Sequence, residues 1–464
     1  MHPRQGPDGS TTSTASSTSL EPSADPAWSA PIDDLRRFMV ENSWIEPAIE
    51  RGLGAVVEDE AGTQYLDLEG GPGVTSVGHC HPEVVNAIQK QAGKLLLVPG
   101  RYQSRSALNL ARRISAFIGQ RLSRTFFVNS GAEAVEGAVK LALKRQTAQG
   151  RMGNTIIALQ HGYHGRLGLS LALTGLSNIK RGMGIFGLNI GVVHAPAPYC
   201  FRCPLGLKYP SCNVRCADVI EDLMHTSVQG EATVMIAEPI LGVGGVIVPP
   251  DEYWPKVEAI LQRHGVLLVM DEVFTGFGRT GRRFAHHGYD SRPDIVCFGK
   301  AIGGGVPIAG FIATEEVGTA FEPGDHSTTF GGKNMIGVAA GHAVLDIMER
   351  DRLEESAEER GAYLMKGLQD LSERFPIIGE VRGRGLFIGL EIVADSAGTP
   401  DAAFAKVITA EASKAGMLIA TTGAYGNVIR MTPPLVITAE EIDRALAMLQ
   451  EVLERVSSPS SRAG

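Results

Sequence analysis

The chain has 464 residues, with 43 Lys and Arg against 51 Asp and Glu and a formal net charge of −8. That balance argues against a nucleic-acid binder, which carries a basic face or stripe, and no run of about 18 apolar residues is present to span a membrane. Six cysteines in so long a chain do not make a disulfide scaffold, so a reducing cytoplasm is the default compartment.

At about 150 residues per domain, the length predicts two or three domains. The Ser/Thr/Pro-rich opening through Ala30 has too little hydrophobicity to offset its ordering entropy and reads as a disordered tail. It also lacks the apolar stretch of a secretory leader. From Pro31 onward, short apolar runs alternate with amphipathic segments. Strands are expected over Arg124–Asn129, Asn154–Leu159, Ala232–Glu238, Gly265–Asp271, Asp294–Phe298 and Ala309–Ala313. Each run is nearly continuous in apolar character, as strands buried on both faces are. Ala132–Lys144 puts Ala134, Val135, Ala138, Leu141 and Ala142 on one helical face, and Pro255–Arg263 behaves similarly. This alternation predicts the α/β class, with a mostly parallel central sheet and helices on both faces.

The texture changes near Met335. Helices are expected over Met335–Glu349 and Asp351–Phe375, a strand over Leu386–Val393 and a helix over Asp401–Ala415. A strand pair near Met417–Ala420 and Val428–Met431 and a final helix, Ala439–Val456, complete a smaller α+β domain.

Ligands of parallel sheets sit beyond the carboxyl ends of the strands, which directs attention to the residues after each run. After the first comes Ser130-Gly131-Ala132 at a helix N-terminus, either an anion cradle or a plain Ser cap. After the fourth come Asp271 and Glu272, and an acid there is costly to bury without a partner or ligand. Gly299-Lys300 precedes a glycine-rich turn, where burial would lower the lysine pKa and leave it nucleophilic. A salt bridge between Asp271 and Lys300 is the ordinary alternative. Together, a lysine, an acid and an anion cradle describe the needs of one cofactor, pyridoxal phosphate (PLP).

The ordered motifs Gly78-His79-Cys80-His81-Pro82, Asn129-Ser130-Gly131-Ala132-Glu133-Ala134, Gly162-Tyr163-His164-Gly165, Ala237-Glu238-Pro239-Ile240, Asp271-Glu272-Val273, Gly276-Phe277-Gly278-Arg279-Thr280-Gly281, Gly299-Lys300 and Thr329-Phe330-Gly331-Gly332 follow one another. Val381-Arg382-Gly383 and Arg430 with Pro433-Pro434-Leu435 complete the series. The chain thereby resembles the class III (ω-) aminotransferases of PLP fold type I, over about residues 33–456. The resemblance implies that Lys300 is the Schiff-base and proton-shuttling lysine, that Asp271 pairs with the ring nitrogen, and that Val273 and Tyr163 flank the ring, with His164 beside Tyr163. It further implies phosphate contacts from Ser130, Gly131 and Ala132, a cofactor role for Glu238, and a substrate carboxylate on Arg430. Thr329 would reach the neighbouring subunit's site, which calls for a homodimer, or a tetramer. The implied division is a tail to residue 30, a large domain at 86–334, and a small domain from 31–85 and 335–464.

Three departures matter. Val243 stands where relatives using 2-oxoglutarate carry a Glu that shields the carboxylate arginine, which points to pyruvate or glyoxylate as acceptor, unless Val243 is only loop packing. Phe274 replaces a Gln that contacts the cofactor's phenolic oxygen, and Lys333-Asn334 replaces Asn-Pro. Cys200, Cys203, Cys212 and Cys216 have a spacing that suits a zinc site or a cluster, but equally four reduced thiols or a disulfide. His194, His264, His286 and His287 form no metal-ligand motif and are expected on the surface or in packing. The donor stays open between an ω-amino acid, a diamine and an amine. The reaction stays open between transamination and decarboxylation of the dialkylglycine type, racemisation or aminomutation, and a scaffold without catalysis is the reading from another class.

Overall fold

In the computed structural model, which describes residues 39–40, 46–184, 191–228 and 230–457, the apolar runs assemble into one seven-stranded sheet. Its order is Leu122–Val128, Ala309–Thr314, Ile295–Phe298, Leu267–Asp271, Ala232–Ala237, Thr155–Leu159 and Val192–Ala195. Five neighbouring strands, from Ile295–Phe298 to the Val192–Ala195 edge, run parallel. Ala309–Thr314 is antiparallel to both of its neighbours. All six predicted strands lie within two residues of the observed ones at every boundary, Leu122–Val128 starting two residues early and Leu267–Asp271 two late; Val192–Ala195 was not predicted at all.

The sheet separates two apolar layers. Val234 and Ile236 join one, with Ala134, Val135, Ala138, Leu141 and Ala142 of the helix Gly131–Ala148. Met235 and Ala237, which alternate with them, join the other, with Val257 and Leu261 of the helix Tyr253–His264. This is the two-residue period of a strand covered on both faces. Gly137 permits the close approach of its helix, because a Cβ there would lie 2.4 Å from the Phe311 ring.

Two smaller sheets flank this arrangement. Ile378–Arg384, Phe387–Ile392, Val428–Met431 and Ala420–Thr422 form an antiparallel one. Ile49–Leu53, Val56–Asp59 and Gln64–Asp67 form another, which Met417–Leu418 joins in parallel. The expected pair of Met417–Ala420 with Val428–Met431 is therefore corrected. The chain changes sheets within four residues, so that only Ala420–Thr422 pairs with Val428–Met431. Arg279 clamps the segments together: its fully buried guanidinium donates to the carbonyls of Leu386 and Pro433 and, at 3.3 Å, to Ser76 Oγ. The predicted tail to residue 30 lies outside the described residues. No helix among the described residues is long and apolar enough to cross a membrane.

Candidate active site

Because neighbouring strands run in parallel, the residues that follow them meet at one edge of the sheet. A cavity of about 350 Å³ opens there, and Ser130, Gly131, Ala132, Tyr163, His164, Glu238, Asp271, Val273 and Lys300 all line it. These come from five separate strand ends. Phe274 and Val243 complete part of its wall.

Ser130 caps its helix. Its hydroxyl accepts from Glu133 N–H at 3.3 Å, and the Glu133 carboxylate accepts from the N–H groups of Ser130 (3.0 Å) and Asn129 (2.7 Å). That capping box leaves the first-turn N–H groups of Gly131 and Ala132 without intrahelical acceptors, at the positive end of an 18-residue helix. A side chain at 131 would close this cradle, since its Cβ would lie 2.7 Å from Val273.

Asp271 ends its strand with a buried carboxylate. Oδ2 lies 2.8 Å from His164 Nδ1, and Oδ1 accepts from Val273 N–H at 3.2 Å. The alternative reading, a salt bridge between Asp271 and Lys300, is not found among the described residues; Asp271 pairs with His164 instead. Glu238, also buried, accepts from Tyr163 N–H at 2.8 Å and Gly242 N–H at 2.9 Å, and so holds two cavity loops to one side chain. Burial pushes its carboxyl up to about 7.

Lys300 begins a tight 3₁₀ turn with φ 47°, a left-handed conformation that a non-glycine residue adopts at a cost and that is found at functional sites. Its Nζ lies 3.6 Å from the centre of the Phe274 ring. Burial, and then the positive charge of Arg430, bring its pKa down to about 7. Near neutrality a large fraction is therefore free amine, able to attack a carbonyl or take a proton.

Two predicted residues lie elsewhere. Arg430 is buried beside Phe274, its Cζ 5.1 Å from the ring centre, and is not among the residues lining the cavity. Its Nη2 lies 3.4 Å from Glu69, a residue that sequence reasoning missed. An acid in an otherwise Gly- and Pro-rich turn, beside a recognised motif, was the available signal. Thr329 is exposed and apart from the cavity. Asn334, where Asn-Pro was usual, caps the helix Met335–Asp351 through its side chain.

Cys200, Cys203, Cys212 and Cys216 line one narrow cavity as free thiols, and burial pushes Cys200 up to about 11 and Cys216 up to about 12. Among the described residues no three such side chains are placed to hold a metal ion. Two of the four histidines find acids across the fold: His286 bonds Glu272 at 2.6 Å and His264 bonds Glu221 at 2.9 Å.

An anion cradle, a buried acid and a buried lysine with its pKa brought down to about 7 line one cavity and fit PLP, with its phosphate, ring nitrogen and carbonyl carbon. The site and sheet define a PLP enzyme of fold type I. The family model for class-III aminotransferases matches residues 39–453, and the chain belongs to that family. It is 38 % identical to an acetylornithine aminotransferase from Methanothermobacter thermautotrophicus, over 91 % of this chain and 98 % of that protein. A probable 4-aminobutyrate aminotransferase from Bacillus subtilis is 34 % identical over 86 % of this chain and 91 % of its own length. The PLP-bound crystal structure of an amine transaminase from an uncultivated Pseudomonas species superposes with a TM-score of 0.83, at 32 % identity, covering 90 % of this chain and 99 % of that one. The protein is accordingly a PLP-dependent aminotransferase.

Proposed function

We propose that the chain moves an amino group from an amine or ω-amino acid to a short 2-oxo acid, pyruvate or glyoxylate, using Lys300. The observation that carries the acceptor is the wall at Val243. Its carbonyl is fixed by Gly423 N–H (2.9 Å) and Thr422 Oγ1 (2.8 Å), and its loop presents an apolar side chain to the cavity. A cavity of about 350 Å³ that must take cofactor and substrate together favours short acids. The names of the two relatives, which act on acetylornithine and 4-aminobutyrate, support an ω-amino donor.

Bound here, PLP supplies an electron sink for the bond broken at the substrate's α carbon. Lys300 Nζ would hold the cofactor's carbonyl carbon and, once displaced by the substrate amine, carry the proton to and from that α carbon. Asp271, oriented by His164, would keep a proton on the ring nitrogen. Gly131 and Ala132 N–H groups, with Ser130, would bind the phosphate, and Tyr163 and Val273 would flank the ring. Glu238 would fix the Tyr163 loop, and Arg430 would bind a substrate carboxylate through its fork of N–H donors.

Thr329 would complete a second copy's site. Its exposure supports this, as does the apolar surface beside it: Phe330 is 53 % and Leu96 60 % exposed, and Leu97 bridges Asn334. Analytical ultracentrifugation of the full chain tests the dimer, and a monomer refutes it. The domain division at 86 and 334 is supported by a large sheet lying within 122–314 and small sheets drawn from both ends. Six free thiols support the cytoplasm as compartment.

Adding amines singly to the holoenzyme and following its visible absorbance identifies the donor. Acceptors are then compared: pyruvate or glyoxylate is expected to exceed 2-oxoglutarate by about tenfold or more in kcat/KM. Faster turnover of 2-oxoglutarate overturns the assignment.

A further inference from the structure

Arg430 is a buried cation whose donors are poorly used. Its side chain is 7 % exposed and its Nε has no hydrogen-bond partner. Among the described residues, one carboxylate reaches it: Glu69, through a single 3.4 Å contact to Nη2. A carboxylate seated on a guanidinium makes two parallel bonds of about 2.7–2.9 Å. Glu69 therefore lowers the cost of the buried charge without filling the fork.

The main chain around Glu69 is held by hydrogen bonds, while its carboxylate makes one long one. Glu69 N–H donates to Asp67 Oδ1 at 2.9 Å, and its carbonyl accepts from Thr432 Oγ1 at 2.7 Å. The following turn is pressed on its surroundings: a Cβ on Gly70 would lie 2.4 Å from the Thr432 carbonyl, and one on Gly73 2.4 Å from the Phe274 ring. Both glycines have positive φ. The Glu69 side chain, by contrast, is 37 % exposed. Its one contact to Arg430 is long, at 3.4 Å, and burial raises its carboxyl pKa against the pull of that guanidinium.

We propose that Glu69 is the specificity-determining gate of Arg430, covering it when the bound substrate has no carboxylate there and yielding to a substrate carboxylate when one arrives. The inference rests on Arg430 being the carboxylate-binding residue. The exchange is anion for anion, so the buried guanidinium is never left unpaired. One pocket can then take an amine without a carboxylate in one half of the reaction and a 2-oxo acid in the other. The acid that the Val243 loop lacks is supplied from the end of the strand Gln64–Asp67.

The test is equilibrium binding of propionate, an unreactive carboxylate, to the holoenzyme by calorimetry. Because Glu69 and propionate compete for one cation, Glu69→Gln is expected to bind propionate about tenfold more tightly than the wild type. Arg430→Met is expected to lose the binding. A site damaged in packing binds more weakly, so the direction separates a gate from a structural support. Glu69→Ala repeats the test if the Gln variant does not fold. Unchanged or weaker binding in the Glu69 variants, with loss in Arg430→Met, overturns the gate and leaves Arg430 as the carboxylate site. Wild-type binding by Arg430→Met overturns both.

Discussion

Lys300→Ala is expected to lower kcat by at least about 10⁴-fold, because it removes the nucleophile and the proton carrier together. Lys300→Arg is expected to fail equally, since guanidinium stays protonated and cannot attack. Small primary amines added to the alanine variant should recover part of the turnover, because a free amine can carry a proton into the vacated volume. The same lysine leaves a mark on folding in the apoenzyme. Its pKa falls from 10.5 to about 7, with burial the largest cause and Arg430 next. Between those values the unfolded chain binds a proton that the folded chain does not. Apoenzyme stability should therefore rise with pH across that window, and Lys300→Met should flatten the rise. Urea unfolding of both apo forms from about pH 7 to 10 measures it. A slope unchanged by the substitution would show that Lys300 keeps its proton in the folded chain.

The strand runs and the residues closing them were legible because both are local. Ala232–Ala237 and Leu267–Asp271 declare themselves by continuous apolar character, and Asp271 and Lys300 by being charges where such runs end. The pairing of His164 with Asp271 was not legible. The two are 107 residues apart, and only the parallel order of Thr155–Leu159, Ala232–Ala237 and Leu267–Asp271 brings their ends together. Glu69 and Arg430 are farther apart still and meet because Leu68 N–H and carbonyl bond Leu418 and Thr432 across two small sheets. The antiparallel direction of Ala309–Thr314, a strand the sequence does predict, was not legible for another reason: a strand buried on both faces has the same composition in either direction. The approach of Arg430 and Lys300 to one ring, 5.1 and 3.6 Å from the centre of Phe274, was not legible either, because the three residues come from separate segments.

Asp271→Asn is expected to lower kcat on the order of 1000-fold, about 4 kcal/mol of transition-state stabilisation, with KM changed far less. The amide matches the carboxylate in size and can still meet His164 Nδ1 and Val273 N–H, so the packing of the cavity wall is preserved. What it lacks is the negative charge that would hold a proton on the ring nitrogen. The phosphate cradle at Gly131 and Ala132 and the attachment at Lys300 are untouched, so the variant should keep its cofactor and its visible absorbance. The pH dependence should then reverse. In the wild type, the Lys300 amine is freed of its proton as pH rises through about 7. In Asp271→Asn the ring nitrogen must draw its proton from solution, so the residual kcat should rise as pH falls, against the preference of the lysine. A variant that retains full kcat, or that loses activity only in proportion to lost cofactor, would reduce Asp271 to a hydrogen-bond partner of His164.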